Sequence, residues 1–144
     1  MTPGHILQVS IVTPASIAFQ GEALAVTVPG SKSPFQVLYN HAPIISSLDI
    51  GILKIEFTNN EIQFFAIKEG FIEVLKNNVN IVVQDIIPAG EINAEEMNNE
   101  ISAARSRWNA SHGKLSRDSA LKDLHWAEAR YRVATMRHQL SSAS

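Results

Sequence analysis

The residues of this sequence best suited to chemistry are its histidines and paired carboxylates. No two histidines stand three or four positions apart, as two metal ligands on one helical face would. His41 lies in an Asn-His-Ala-Pro segment and is interpreted as a hydrogen-bonded turn residue rather than a general base. Glu95 and Glu96 suit the first turn of a helix, where carboxylates complement the dipole. These residues therefore do not indicate an active site.

Sequence motifs of known catalytic and nucleotide-binding sites are also missing. The chain has no GxxxxGK[ST], GxGxxG, GxSxG or HExxH motif. It has no cysteine, which excludes disulfides, a cysteine nucleophile and a zinc–thiolate site. We therefore predict no catalytic, cofactor-binding or metal-binding residues and expect a protein that is not itself an enzyme.

A set of bases near the C-terminus is the remaining chemical feature. Arg130, Arg137 and His138 lie at near-helical spacing, and Lys122 precedes them. Such a set is most often a solvated helix face. It also suits docking on an acidic protein surface, including the acidic N-terminal part of this chain, by electrostatic attraction that salt weakens. Nucleic acid is the weakest interpretation, because no aromatic residues are interleaved with the bases.

Charge divides the chain into an acidic first part and a basic end. Residues 1–88 carry four lysines, no arginine and seven acids, a net of −3, and residues 113–144 carry a net of +3. Such a step often marks a boundary between units with different neighbours. We predict two small domains, residues 1–88 and 89–144. No apolar run reaches the roughly 18 residues of a membrane span, and signal-peptide features are missing, so we expect a soluble chain.

The sequence of the first domain is typical of a series of short β-strands. Segments rich in Val, Ile and Phe are separated by turn signals such as Pro29-Gly30, Asn59-Asn60 and Asn77-Asn78. Asn59-Asn60 predicts a tight hairpin, since Asn tolerates positive φ. The pattern favours a sandwich or flattened barrel. The predicted strands are Ile6–Val12, Glu22–Val28, Gly51–Phe57, Glu61–Ile67, Phe71–Leu75 and Val79–Val83.

After Pro88 the apolar period changes from two to about 3.6, which predicts two helices. Asn93 is the predicted N-cap of the first, with Glu96 completing a capping box, and Ser116 is the predicted cap of the second. The loop Ser111-His112-Gly113 would join them as an antiparallel hairpin. Because alanine buries little apolar area, the stripe of the second helix predicts weak docking, compatible with permanent packing or detachment. That stripe is Ala120, Leu124, Ala127, Tyr131 and Ala134.

Several segments, taken in order, resemble one family. Residues 35–44, FQVLYNHAPI, are similar to the family's FGVLPGHAPL, and residues 51–55 and 65–74 to its GVLRI and FAVSGGFLEV. VTP at 12–14, VTVPG at 26–30 and the loop at 111–113 also fit. Over nearly its whole length the chain resembles the epsilon subunit of the F-type rotary ATP synthase, called delta in mitochondria.

The resemblance implies an α+β fold, with an N-terminal ten-stranded β-sandwich of two sheets followed by a C-terminal antiparallel two-helix hairpin. It implies a non-catalytic central-stalk subunit that couples proton-driven rotation of the c-ring to ATP synthesis. Its hairpin would extend to restrain ATP hydrolysis. The implied partners are the gamma subunit, the c-ring and the alpha and beta subunits. The implied location is peripheral, on the cytoplasmic face of a bacterial inner membrane.

The resemblance also supplies candidate contact residues. Ser31, Lys32, Ser33 and His41 would face the gamma subunit or the c-ring. The hairpin bases would contact the catalytic head. They are Arg117, Lys122, Arg130, Arg132 and Arg137. The alternative function is a stand-alone binding module, in which the sandwich and a helical lid enclose a peptide or small ligand.

The chain departs from the family pattern at four places. Some bacterial members bind ATP through an [IL]DxxRA motif, of which INAEEM at 92–97 keeps only the isoleucine. Because Glu96 stands where an arginine would meet phosphate, the isolated chain is not expected to bind ATP tightly. Asn40 replaces a glycine and predicts a turn residue with positive φ. Gln36 and Lys68-Glu69 replace small residues, so those two turns are expected to differ in shape.

Overall fold

A computed structural model describes the backbone of residues 4–143 and the side chains of residues 4–136. Ten strands form two five-stranded sheets, followed by a short 3-10 helix and two α-helices. The predicted α+β fold, a ten-stranded sandwich followed by a two-helix hairpin, is confirmed. In the described part of the chain no helix has the length and apolar character needed to span a membrane.

The two sheets lie face to face. The strands are β1 (Leu7–Val12), β2 (Ile17–Ala23), β3 (Ala25–Val28), β4 (Phe35–Leu38), β5 (Ile44–Leu48), β6 (Gly51–Glu56), β7 (Ile62–Ile67), β8 (Gly70–Leu75), β9 (Asn78–Val83) and β10 (Ile86–Pro88). Sheet A has the order β2-β1-β9-β8-β5 and sheet B the order β10-β7-β6-β3-β4. β1 and β9 pair in parallel, and the other neighbouring strands pair antiparallel.

The core between the sheets consists of inward-facing apolar side chains, which alternate along the strands with outward-facing ones. Along β8, Ile72 and Val74 are buried while their neighbours are exposed, as expected of a strand with one face in water. The largest fully buried side chains come from both sheets. They are Leu7, Ile11, Leu48, Leu53, Ile55, Ile67, Ile72 and Ile81.

One predicted strand is wrong. Glu22–Val28 is not continuous, because the chain crosses from β2 in sheet A to β3 in sheet B at Leu24. The N–H of Leu24 donates to the carbonyl of Glu56 in sheet B (2.8 Å), so the crossing keeps a hydrogen bond. The apolar pattern runs through the crossing without interruption, and for this reason the sequence does not reveal it.

The turns follow the backbone preferences of asparagine. Asn40 (φ 63°) and Asn60 (φ 68°) have positive φ, as predicted. The turn predicted at Asn77-Asn78 lies one residue earlier, at Lys76-Asn77, where both residues have positive φ as a type I′ hairpin requires. Asn78 is instead the first residue of β9.

The helices are α1 (Ala94–Ala110) and α2 (Lys114–Ala143), preceded by the 3-10 helix Ala89–Glu91. Asn93 caps α1 as predicted, since its Oδ1 accepts a hydrogen bond from the N–H of Glu96 (3.0 Å). The predicted cap at Ser116 is wrong. α2 begins at Lys114 because the carbonyl of Gly113 already accepts from the N–H of Arg117 (3.0 Å), so Ser116 lies inside the first turn.

Helix α2 lies between α1 and the outer face of sheet B. Its Trp126, Ala129 and Val133 pack with Ala66 of β7 and Ala89. The predicted alanine stripe is centred roughly 150° away around the helix and packs towards α1. The prediction of weak docking therefore rests on the helix face that packs against α1. The face that contacts the sandwich includes a tryptophan.

Candidate functional site

The loop after Gly30 is fixed to the end of β5. Ser31 donates its N–H to the carbonyl of Ser47 (3.0 Å) and its hydroxyl to Asp49 Oδ1 (3.0 Å). The hydroxyl of Ser47 in turn donates to that of Ser31 (2.9 Å). A Cβ on Gly30 would lie 2.6 Å from the carbonyl oxygen of Ser33, so only glycine fits this tight path. The exposed side chains of Lys32 and Ser33 are thus presented on a fixed backbone.

His41 is a hydrogen-bonded turn residue, as interpreted from the sequence. Its N–H donates to the carbonyl of Leu38 (3.0 Å), and its ring Nδ1 donates to the carbonyl of Ala42 (2.8 Å). The centroid of the Phe35 ring is 6.4 Å from that of the imidazole. The same Phe35 ring comes within 2.8 Å of a Cβ built on Gly30. The structure therefore brings His41 and the Ser31–Ser33 loop to one edge of the sandwich.

An apolar row crosses the outer face of sheet A beside this edge. Phe71 of β8 pairs with Val82 of β9, Val82 with Val12 of β1, and Val12 with Ile17 of β2. Phe71 is 53% exposed and Ile17 is 65% exposed. Phe71 also pairs with Ser47, whose hydroxyl bonds to Ser31, so the row is continuous with the Ser31–Ser33 loop.

The row is confined to one end of the sheet. From β8 to β2 the next outward-facing row is polar, because Glu73 pairs with Asn80, Asn80 with Ser10, and Ser10 with Gln20. At its β5 end this row carries Ile45, which pairs with Glu73 and is 74% exposed. Contiguous exposed apolar residues rimmed by polar ones mark interaction sites. The sequence alone does not indicate this row. The alternation of apolar and polar residues identifies the outward-facing residues of each strand. Only the register between strands that are distant in sequence shows which of these residues lie side by side.

The contact between α2 and sheet B is centred on Trp126, which is only 8% exposed. Lys68 Nζ lies 5.5 Å from the centroid of the indole, and Arg130 Cζ lies 5.0 Å from it. The Nε of Arg130 also donates to the carbonyl of Trp126 (3.3 Å). One turn earlier, Lys122 Nζ pairs with Glu69 Oε2 at 3.1 Å. Two of the candidate bases, Lys122 and Arg130, thus participate in the docked arrangement.

The other candidate bases lie elsewhere. Arg117 stacks over Trp108 (4.8 Å to the ring centroid) and donates from Nη1 to the carbonyl of Ser111 (3.3 Å), at the turn between the helices. Arg132 is exposed and lines a groove beside Lys32 and Ser33. The side chain of Arg137 lies outside the described residues. The structure therefore does not bring the four described bases onto one surface.

An open cavity of about 480 Å³ lies between α2 and the sandwich, where a binding module would hold its ligand. Its charged lining includes both signs, and two of its members, Glu69 and Lys122, pair with each other. The charged lining residues are Asp49, Glu69, Lys122, Glu128 and Arg132, and His125 lies among them. Among the described residues, no group of three or more potential metal ligands converges.

Comparison with known proteins gives consistent matches. Residues 6–89 match the family described as the beta-sandwich domain of the ATP synthase delta/epsilon chain. The chain is 33% identical over 135 residues to the chloroplastic ATP synthase epsilon chain of Tetradesmus obliquus, covering 94% of this chain and 98% of that one. It is 31% identical over 133 residues to the ATP synthase epsilon chain of Staphylococcus saprophyticus, covering 92% and 98%.

Solved structures share the fold. A chain in the cryo-EM structure of the Euglena gracilis mitochondrial ATP synthase, comprising OSCP, F1 and the c-ring, superposes with a TM-score of 0.78. The sequence identity is 21%, and the match covers 90% of this chain and 81% of that one. The arrangement of the strands and helices therefore recurs at low sequence identity.

Proposed function

The chain belongs to the delta/epsilon family of ATP synthase subunits, and from this membership we propose that it is the epsilon subunit of a central stalk. It is a non-catalytic subunit. The observation that carries the proposal is the match to epsilon chains over the sandwich and the hairpin together, with 94% of this chain covered. In the proposed division of labour, residues 1–88 anchor the subunit and residues 89–144 regulate the complex.

The proposed anchor is the edge that carries Ser31, Lys32, Ser33 and His41, together with the apolar row on sheet A. This surface would bind the gamma subunit and the c-ring, and so couple proton-driven rotation of the ring to ATP synthesis. Two features support it. The loop backbone is held by Ser47 and Asp49, and the adjoining apolar row has no covering element within the described chain. A fixed loop beside an exposed apolar row is suited to a lasting contact.

Replacing Phe71 with aspartate should weaken binding to the gamma subunit at least about tenfold, because the partner would have to bury a carboxylate in an apolar contact. The measurement is the dissociation constant of the full chain for an epsilon-depleted complex. The matched control is Leu75→Asp, on the same strand and face but beyond the polar row. If both variants bind equally well, the apolar row is not the anchor.

The proposed regulatory element is the hairpin. Docked on sheet B, it pairs Lys122 with Glu69 of the sandwich, while Arg130 contacts Trp126 of its own helix. A contact of Lys122 with acidic segments of the alpha and beta subunits would therefore compete with docking, and Arg130 is the proposed second contact on the same helix. Arg117, Arg132 and Arg137 complete the proposed set of head contacts. Each partner would shift the balance only by its difference in affinity for the docked and extended states.

The test of the regulatory role is ATP hydrolysis by an epsilon-depleted complex. Adding the full chain should slow hydrolysis about fivefold or more, because coupling free energies between sites usually correspond to factors of at least that size. A chain ending at Pro88 should bind without slowing hydrolysis. If the two chains slow hydrolysis equally, or neither slows it, the hairpin is not the inhibitory element.

A second arm keeps the chain intact and controls for the sheet face exposed by truncation. The native chain has no cysteine, so the Glu69→Cys/Lys122→Cys variant carries a unique pair for a short thiol cross-linker. The cross-linked chain should bind and fail to inhibit, while the uncross-linked variant inhibits. Equal inhibition by both forms would show that undocking is not required.

The proposed location is the membrane surface, reached through the partner subunits, on the cytoplasmic face of a bacterial inner membrane. A bacterial relative supports this host, and a chloroplast relative matches as well. We also propose that the isolated chain does not bind ATP tightly. Asn93 is used to cap α1, and Glu96 places a carboxylate in the same turn. Nucleic acid is not among the proposed partners.

A further inference from the structure

We propose that the Lys68-Glu69 turn is a latch that holds the hairpin docked on the sandwich in one register. Lys68 and Glu69 lie between β7 and β8. They replace small residues of the family pattern. Both side chains reach α2: Lys68 lies against Trp126, and Glu69 pairs with Lys122. The latch rests on the proposed function only for its effect on inhibition, since the contacts themselves lie within this chain.

The turn is held by the backbone beneath it. The N–H of Lys68 donates to the carbonyl of Asp85 (3.0 Å), and the N–H of Gln84 donates to the carbonyl of Glu69 (3.0 Å). These bonds tie both latch residues to the segment between β9 and β10. The side chains therefore project towards α2 from a backbone that cannot shift without breaking sheet contacts.

The two contacts together specify the position of α2 along the sheet. Lys122 and Trp126 are four residues apart, so they lie on one face of the helix about one turn from each other. Adjacent turn residues of opposite sign contact them, a cation against the indole and a carboxylate against the ammonium. Sliding α2 by one turn would break both contacts at once. A merely solvated pair of charges would impose no such register.

The strength of each contact suits a release mechanism. The side chains of Lys122 and Glu69 are 65% and 40% exposed, so solvent screens the pair and its contribution is small. The cation–π contact of Lys68 adds a similar increment. Neither contact is strong enough to make docking permanent. Together they adjust the fraction of hairpins that is free to reach another surface, on top of the larger contribution of the buried Trp126.

The experiment measures amide hydrogen exchange of α2 around Trp126 in the isolated full chain. Glu69→Lys and Lys122→Glu should each speed exchange about three- to tenfold, since each replaces an attraction with a like-charge repulsion. The double swap Glu69→Lys/Lys122→Glu should return the rate to within about twofold of wild type, because the pair is restored with reversed sign. Lys68→Ala should speed exchange by a smaller factor.

The matched control is Glu61→Lys, the same change of charge at the opposite end of β7 and away from α2. It should leave α2 exchange unchanged. The latch is overturned if Glu61→Lys has the same effect as Glu69→Lys, or if the double swap does not rescue. Hydrolysis assays separate the two proposals: rescue in the isolated chain without any inhibition by the hairpin would retain the latch and reject the regulatory function.

Discussion

Trp126→Ala should release the hairpin from the sandwich while the ten strands stay folded. Among the described residues of α2, Trp126 is the one large side chain in the buried cluster on sheet B, alongside Ala129 and Val133. Removing a buried aromatic residue costs about 3–5 kcal/mol. A loss of that size shifts the docking equilibrium by roughly two to four orders of magnitude. It exceeds the contribution expected from any of the surrounding charges.

Limited proteolysis and hydrogen exchange of the isolated chain would measure this release. Trp126→Ala should expose α2 to cleavage while protection of β6 and β7 persists. Leu115→Ala is the matched control, because Leu115 also lies on α2 but is 87% exposed, and it should leave both unchanged. In the assembled complex the released hairpin should slow hydrolysis more than the wild type. Loss of protection throughout both sheets would instead show that the hairpin is an inseparable part of the core.

Helix caps and turns of this chain can be predicted from its sequence, because they depend on a residue and its immediate neighbours. Asn93 caps α1 through a bond to the N–H three residues later, and Asn60 takes positive φ in its own turn. Both follow from the residue type and its immediate neighbours. The strands of the sandwich core are visible for a similar reason, since alternation reflects one buried and one wet face.

The faces of α2 required the tertiary structure. A helix buried on both sides carries two apolar stripes, and the alanine stripe has the clearer period. Trp126 lies outside the alanine stripe, although it forms the main contact with the sandwich. The packing of α2 between a sheet and a second helix decides which stripe docks where. The sequence of the helix by itself does not show which stripe faces the sheet and which faces α1.

The candidate surfaces show the same limit. Ser31 and His41 were reached through a resemblance, and the structure explains their proximity through the Phe35 ring between them. The apolar row depends on the parallel pairing of β1 with β9, which joins residues about 70 positions apart. The Lys68-Glu69 turn was conspicuous as a departure, but its partners on α2 lie more than 50 residues away.

Gly70→Ala should destabilise the chain by more than about 3 kcal/mol, enough to threaten a fold whose total stability is typically 5–15 kcal/mol. Gly70 begins β8 and pairs with Val83 of β9. A Cβ at this position would lie 1.9 Å from the carbonyl oxygen of Val82 and 2.8 Å from Val83 Cα. Both obstacles are backbone, so no rotamer change relieves them, and the two strands would have to separate.

Urea unfolding of the isolated chain would measure this cost against Gly21→Ala. A Cβ on Gly21 would meet only the end of the Phe19 ring at 3.2 Å, which can move aside, so that variant should lie within about 1 kcal/mol of wild type. Similar midpoints for the two variants would mean that β8 and β9 can separate without cost. The strain at Gly70 would be transmitted directly to its neighbours, because Glu69 precedes it and Phe71 follows it. A partly folded Gly70→Ala chain should therefore lose the latch and the apolar row together.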